Sequence, residues 1–165
     1  MNISRNASII LLVIANIAAD QISKFWVRAT VEKNSSSPII GEYLTLRNIE
    51  NDGAFLGMGG DLNPTLKLFV LLLIPAAVLL FVLYYMFKEK HMDKLSLIGF
   101  SCVVGGGIAN VFDRFVYGSV TDFLFIDLEF VRTGIFNIAD LSVTTGMILI
   151  LWSSLKQRKK DKAHS

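Results

Sequence analysis

The chain has 165 residues, 53% of them hydrophobic and 18% charged, with a mean hydropathy of +0.54; soluble domains carry about 25% charged residues, so an ordinary soluble globule is excluded. The 16 basic and 14 acidic residues leave a net charge of +2, too small an excess to point to nucleic acid as a partner. With one cysteine, Cys102, and two histidines, His91 and His164, the chain cannot form an intramolecular disulfide and is poorly supplied for zinc motifs, Cys/His pairs or Ser-His-Asp triads.

Residues 7–27 form the first of four apolar windows, each near the length that crosses a hydrocarbon core of ~30 Å. Arg5 precedes this window, and Ala15, Asn16, Ile17, Ala18 and Ala19 also resemble a signal-peptide cleavage neighbourhood. Apolar character resumes at Ile22, Phe25, Trp26 and Val27, which favours a span over a cleaved leader. The following segment, 28–65, contains a β-favouring run from Tyr43 to Ile49. Then comes a glycine-rich stretch from Asp52 to Asn63, with Gly53, Gly57, Gly59 and Gly60 beside Phe55, Leu56 and Met58. That stretch reads either as a flap at the lipid interface or as a plain connecting loop.

The second window, 66–87, contains Pro75, where a local kink is expected. The third covers 95–115, and the segment 116–136 after it contains a second β-favouring run from Val120 to Val131, with Leu124, Ile126, Leu128 and Phe130 on one side. The fourth covers 137–155 and leads into a basic tail, 156–165.

Basic loops stay in the cytoplasm. Arg5, then Lys88, Lys90 and Lys94, then Lys156, Arg158, Lys159, Lys160 and Lys162 therefore place both termini inside. The outer segments instead hold Glu32, Glu42, Glu50, Asp52, Asp61, Asp122, Asp127 and Glu129. The tail serves as a topology determinant and an attraction to anionic lipid. The expected fold is a single integral-membrane domain spanning 1–165: all-α in the membrane, a four-helix transmembrane bundle carrying a small outer β element.

Ionisable groups in or beside spans are costly and usually mark function. Asp20 and Lys24 share one helix face, acid ahead of base, and read as a structural ion pair with Lys24 snorkelling or as a substrate-facing pair. Gly105, Gly106 and Gly107 allow close helix approach. Asn110, Asp113 and Arg114 follow at i, i+3 and i+4 as one polar face at the outer end. Asp122 and Asp140 lie too far apart in sequence for one helix face, but topology brings both to the outer boundary. Two acids converging there could share a proton. Taken singly, Asp122 reads as a turn residue, and Asp140 as the acid of a helix N-terminus capped by Asn137.

The runs DQISK from Asp20, NDGAF from Asn51, GGGIANVFDRFVYGSVTDF from Gly105 and FNIAD from Phe136 together resemble the lipoprotein signal peptidases, also called signal peptidase II, over nearly the whole chain. The long block followed by FNIAD is far more specific than the two short runs. The resemblance implies a bacterial membrane aspartyl endopeptidase that removes the signal peptide from prolipoproteins, just before the diacylglyceryl cysteine. It implies a location in the cytoplasmic (inner) membrane, multi-pass, with the active site at the outer face.

By that resemblance Asp122 and Asp140 are the catalytic dyad, and Asp20, Lys24, Asn51, Gly53, Asn110, Arg114 and Asn137 shape or brace the substrate site, with Asp113 on the same polar face. An outer β-cradle and flap are implied as well. Ala109 stands where glycine is usual in that family, Gly107 where alanine is common, and Phe55-Leu56 replaces the usual alanine-aromatic order. Both acids are retained.

The expected chemistry is attack by water on the peptide carbonyl, with one carboxylate as base and the other, protonated, as hydrogen-bond donor, and no acyl-enzyme. The position of Asp140 at a helix N-terminus favours its ionised form and makes Asp122 the protonated partner. No cofactor or metal is implied, since no ligand spacing appears. The expected partners are lipidated precursors and membrane lipid, with no nucleic acid, and the expected functional unit is a monomer. A small proton or ion carrier and a non-catalytic lipoprotein assembly subunit are the competing classes. A serine/lysine peptidase is disfavoured, because adjacent Ser23 and Lys24 point in different directions on a helix.

Overall fold

The structure is a computed structural model that describes residues 4–54 and 57–163, with side chains to residue 159. Phe55 and Leu56, and the side chains of Lys160 and Lys162, lie outside the described residues. Among the described residues four helices are long and apolar enough to cross a membrane: α1 (Arg5–Thr30), α2 (Pro64–Lys88), α3 (Lys94–Tyr117) and α4 (Ile138–Ala163). The first three extend the expected windows at both ends, and the fourth starts one residue later than expected and runs further at its C-terminal end. Large apolar side chains such as Phe25, Phe81, Phe115 and Trp152 point outward along them, an arrangement stable against hydrocarbon and unfavourable against water.

Local chemistry sets the helix ends. Ser4 accepts from the Ala7 N–H at the start of α1, Asn63 from Leu66 at the start of α2, and Asp93 from Leu95 and Ser96 at the start of α3. α3 stops at Gly118, whose φ of +78° reverses the chain at no steric cost. In α2 the irregularity expected at Pro75 takes the form of a π-helical stretch, Leu68–Leu73, just ahead of it. There the Ile74 N–H reaches back to Phe69 O, accommodating the proline's missing donor.

Small residues bring the helices together. A Cβ on Gly105 would stand 2.6 Å from the Asn16 Cβ of α1, and one on Gly106 would stand 2.5 Å from the Ala139 carbonyl oxygen of α4. Gly99 of α3 and Gly146 of α4 meet backbone to backbone. Ala109 is fully buried, so its methyl is accommodated in this close packing.

Three antiparallel strands form a sheet in the order β1 (Ser36–Ile40), β2 (Leu44–Asn51), β3 (Val120–Ile126). Two departures from expectation stand out. β1 was not anticipated, because its serines and proline give no strand pattern; it is an exposed edge strand, where proline is tolerated. β3 ends at Ile126, short of Val131: the chain turns through Glu129 at φ +64°, and Asp127 bridges to Arg132. Leu128 and Phe130 are therefore exposed turn residues, not strand residues.

The returning chain pairs beside β3. Phe123 and Leu124 donate their N–H groups to Phe136 O at 3.0 and 2.8 Å, and Phe136 N–H donates to Leu124 O at 2.8 Å. This bridge sets the start of α4 next to Asp122.

Candidate active site

Asn137 and Asp140 cap α4 reciprocally. Asn137 Oδ1 accepts the Asp140 N–H at 2.9 Å, and Asp140 Oδ2 accepts the Asn137 N–H at 3.2 Å, which satisfies donors left open in the first turn. The capping role and a role in the site coexist, because Asn137 also reaches sideways. Its Nδ2 donates to Asp122 Oδ1 at 2.6 Å and to Asn110 Oδ1 at 3.2 Å.

Asp122, 3% exposed on β3, accepts a second hydrogen bond on Oδ2 from Asn51 Nδ2 at 2.8 Å. Burial pushes its carboxyl up to about 6, the Asp140 charge adds to the rise, and the two amide donors oppose it. Asp140 Oδ1 accepts from Asn110 Nδ2 at 2.9 Å. Both acids line one cavity of about 450 Å³, walled by Asn51, Asn110 and Arg114 on its polar side and by Ile126, Phe136 and Leu141 on its apolar side. A second cavity of about 420 Å³, lined by Gly53, Gly57 and Gly60, adjoins Asp122 and Asn51.

Beneath the acids lies a buried ionic cluster. Lys24 Nζ contacts Asp20 Oδ2, Asp113 Oδ2 and Asn110 Oδ1, each at 2.7 Å, and Lys24, Asp20 and Asp113 are all fully buried. Lys24 therefore does not snorkel to the interface: three acceptors on α1 and α3 hold the ammonium inside the bundle, which corrects that expectation. Asp20 Oδ1 also accepts the Ala139 N–H at 2.8 Å, tying α1 to the first turn of α4.

The polar face of α3 divides its labour: Asn110 meets Asp140, Asp113 meets Lys24, and Arg114 Nη2 donates to Gly53 O at 2.8 Å. Gly53 is buried with its N–H on Asn51 Oδ1 at 3.0 Å, so the start of the glycine-rich loop is pinned to the site. A Cβ there would collide with the Gly57 carbonyl.

All ten residues singled out from sequence thus sit in one connected region. Other residues that take part carry no role in the sequence reading, among them Gln21, Arg28, Glu50 and Thr121. Gln21 Nε2 donates to Asp113 Oδ1 at 3.0 Å. Arg28 donates from Nε to Thr121 Oγ1 at 2.7 Å and lies 4.0 Å over the Tyr117 ring. Glu50 accepts from the Ser119 and Thr121 hydroxyls. The helical spacing of Asp20, Lys24 and Arg28 along one face of α1 was a usable sign for Arg28; Glu50 and Thr121 carry none until the strands are paired.

Comparison with known proteins finds relatives of the whole chain. The profile of the family described as Signal peptidase (SPase) II matches residues 12–156. A lipoprotein signal peptidase of Moorella thermoacetica is 32% identical over 147 residues, covering 88% of this chain and 91% of its own. One from Clostridium acetobutylicum is 32% identical over 154 residues, covering 92% and 97%. Two solved structures, both described as bacterial membrane enzymes obtained by the in meso method, superpose with TM-scores of 0.81 and 0.76 at 27% and 28% identity. They cover 93% and 90% of this chain, and 90% and 93% of theirs. With the profile spanning most of its length and relatives matching nearly end to end, the chain belongs to the signal peptidase II family of bacterial membrane peptidases.

Proposed function

We propose that this protein removes the signal peptide from diacylglyceryl-modified prolipoproteins by cutting just before the lipidated cysteine, with Asp122 and Asp140 as the catalytic dyad. The observation that carries this reading is the convergence of two acids from β3 and α4 on one cavity, bridged by Asn137. Asp140, in the first turn of α4, accepts two N–H donors that fix its carboxyl toward the cavity, where it can take a proton from water. Asp122, raised to about 6, is the partner that more readily holds a proton to donate to the scissile carbonyl. Water attacks that carbonyl, and the tetrahedral intermediate collapses as the leaving amine is protonated.

The apolar wall of the cavity reaches Leu141 and Thr144 along α4, level with the outer part of the bundle. A substrate's signal helix and acyl chains can then stay in hydrocarbon while its scissile bond enters laterally, each buried CH₂ contributing about 0.8 kcal/mol of anchoring. The basic loop and tail support an orientation with both termini in the cytoplasm and the dyad at the outer face. Asp20, Lys24, Asn51, Gly53, Asn110, Asp113, Arg114 and Asn137 orient the dyad and the loop.

The test is incubation of purified protein with a diacylglyceryl prolipoprotein and with its unlipidated form. Cleavage of the lipidated precursor alone, abolished in Asp122→Asn and Asp140→Asn, is the expected result. Turnover retained in either variant rejects the dyad.

A further inference from the structure

We propose that Glu50, which touches neither dyad carboxylate, is a positioning residue for Asp122: it clamps β2 to β3 so that Asn51 meets the acid. The inference rests on the dyad reading. β2 and β3 pair as Leu44↔Ile126, Thr45↔Phe125 and Leu46↔Leu124, then lose register between Leu46 and Ile49. Beyond that irregularity only Ile49↔Asp122, Glu50↔Thr121 and Asn51↔Val120 remain. Three pairs beyond a bulge do not inherit their register from the three before it, and a one-residue slip would turn every side chain to the other face.

Side chains supply what the ladder lacks. Glu50 Oε1 accepts the Thr121 hydroxyl at 2.8 Å, and Oε2 accepts the Ser119 hydroxyl, so one carboxylate grips β3 on both sides of Val120. Thr121 is fully buried, and its Oγ1 accepts from Arg28 Nε at 2.7 Å. Arg28 is held in turn by Asp113 Oδ1 at 3.3 Å and by the Tyr117 ring. The clamp therefore runs from α1 and the last turn of α3 into the strand pair.

Strand alternation places the neighbours of the clamped pair, Asn51 and Asp122, on the opposite face, where Asn51 Nδ2 meets Asp122 Oδ2 at 2.8 Å. The charged groups around Glu50 are Arg28 from α1, Asp113 behind it on α3, and Asp52 in the next loop. Those around Asp122 are Asp140 from α4, Lys24 from α1 and Arg114 from α3.

The experiment compares kcat and KM on a lipidated precursor for full-length Glu50→Ala, Glu50→Gln, Thr121→Val, Asn51→Ala and the Glu50→Ala/Asn51→Ala pair, with detergent-solubilised protein below its melting temperature. Because misplacement of a catalytic group by about 1 Å costs roughly a hundredfold, Glu50→Ala and Thr121→Val are expected to lower kcat by about ten- to a hundredfold with KM changed less than about twofold. Thr121→Val keeps the β-branched shape and provides the clamp test if Glu50→Ala folds poorly. Glu50→Gln retains an oxygen acceptor and should recover part of the loss. The double variant should fall no further than the worse single, since both act through one contact. Additive losses in ln kcat, or wild-type kcat in Glu50→Ala or Thr121→Val, overturn the proposal. Turnover retained in Asp122→Asn would instead remove the dyad reading beneath it.

Discussion

Lys24 donates to Asn110 Oδ1 at 2.7 Å, and that contact decides which way the Asn110 carboxamide faces. An ammonium can only donate, so the oxygen must turn toward Lys24 and the NH₂ toward Asp140, where it donates at 2.9 Å. The cation buried in α1 thus acts on the site through an intermediary. Replacing the amide with Asn110→Ala should lower kcat about ten- to a hundredfold, the equivalent of a charged hydrogen bond of about 1.5–3 kcal/mol, in steady-state cleavage of a lipidated precursor.

Removing the cation has a different consequence. Lys24→Met leaves Asp20 and Asp113 buried with their shared partner gone. A loss of about 3–5 kcal/mol is expected, read as a large drop in melting temperature in detergent. A melting temperature equal to wild type would mean that water or Arg28 replaces Lys24 fully.

The carboxyl of Asp122 provides a pH test whose sign can be worked out. Its folded value, about 6, lies above the ordinary 3.8. The favourable contribution of its protonated form is fully present below pH 4 and is lost as pH rises through 6, at a cost of about 3 kcal/mol by pH 8. Asp122→Asn cannot ionise, so its melting temperature should exceed that of wild type by more at pH 8 than at pH 5. Turnover by wild type should decline on the alkaline side as the same proton leaves. Asn51→Ala, which removes a donor to the carboxylate, should move that decline to higher pH.

Gly53 tests the loop. Its Cβ would run into the Gly57 carbonyl, and its own carbonyl is held by Arg114. Gly53→Ala should displace the loop and depress kcat/KM while leaving the melting temperature within a few degrees of wild type. Arg114→Lys, which keeps the charge but loses the guanidinium's geometry, should raise KM in the same assay.

Helix spacing governs where Asp140 stands. Gly106 lies against the Ala139 carbonyl, one residue before that acid. Gly106→Val should push the first turn of α4 outward, destabilise the fold by about 1–3 kcal/mol and reduce turnover. The conservative Gly106→Ala should do the same to a lesser degree.

Much of this molecule follows from local sequence. Four apolar windows, the caps at Ser4, Asn63 and Asp93, the stop at Gly118 and the polar face Asn110, Asp113 and Arg114 rest on periodicity and on residues a few positions apart. The Asn137–Asp140 cap is equally local, and by itself it said nothing of catalysis. Only the tertiary structure brings Asp122 to it, because the meeting depends on the Phe136 bridge to β3, a pairing between distant segments with no local signature. The same holds for Lys24, whose burial is decided by acceptors on another helix, for β1, which pairs despite its composition, and for Glu50, whose partners appear once the strands are in register. Short-range patterns are set by backbone geometry within one element, whereas a site is set by which elements lie side by side.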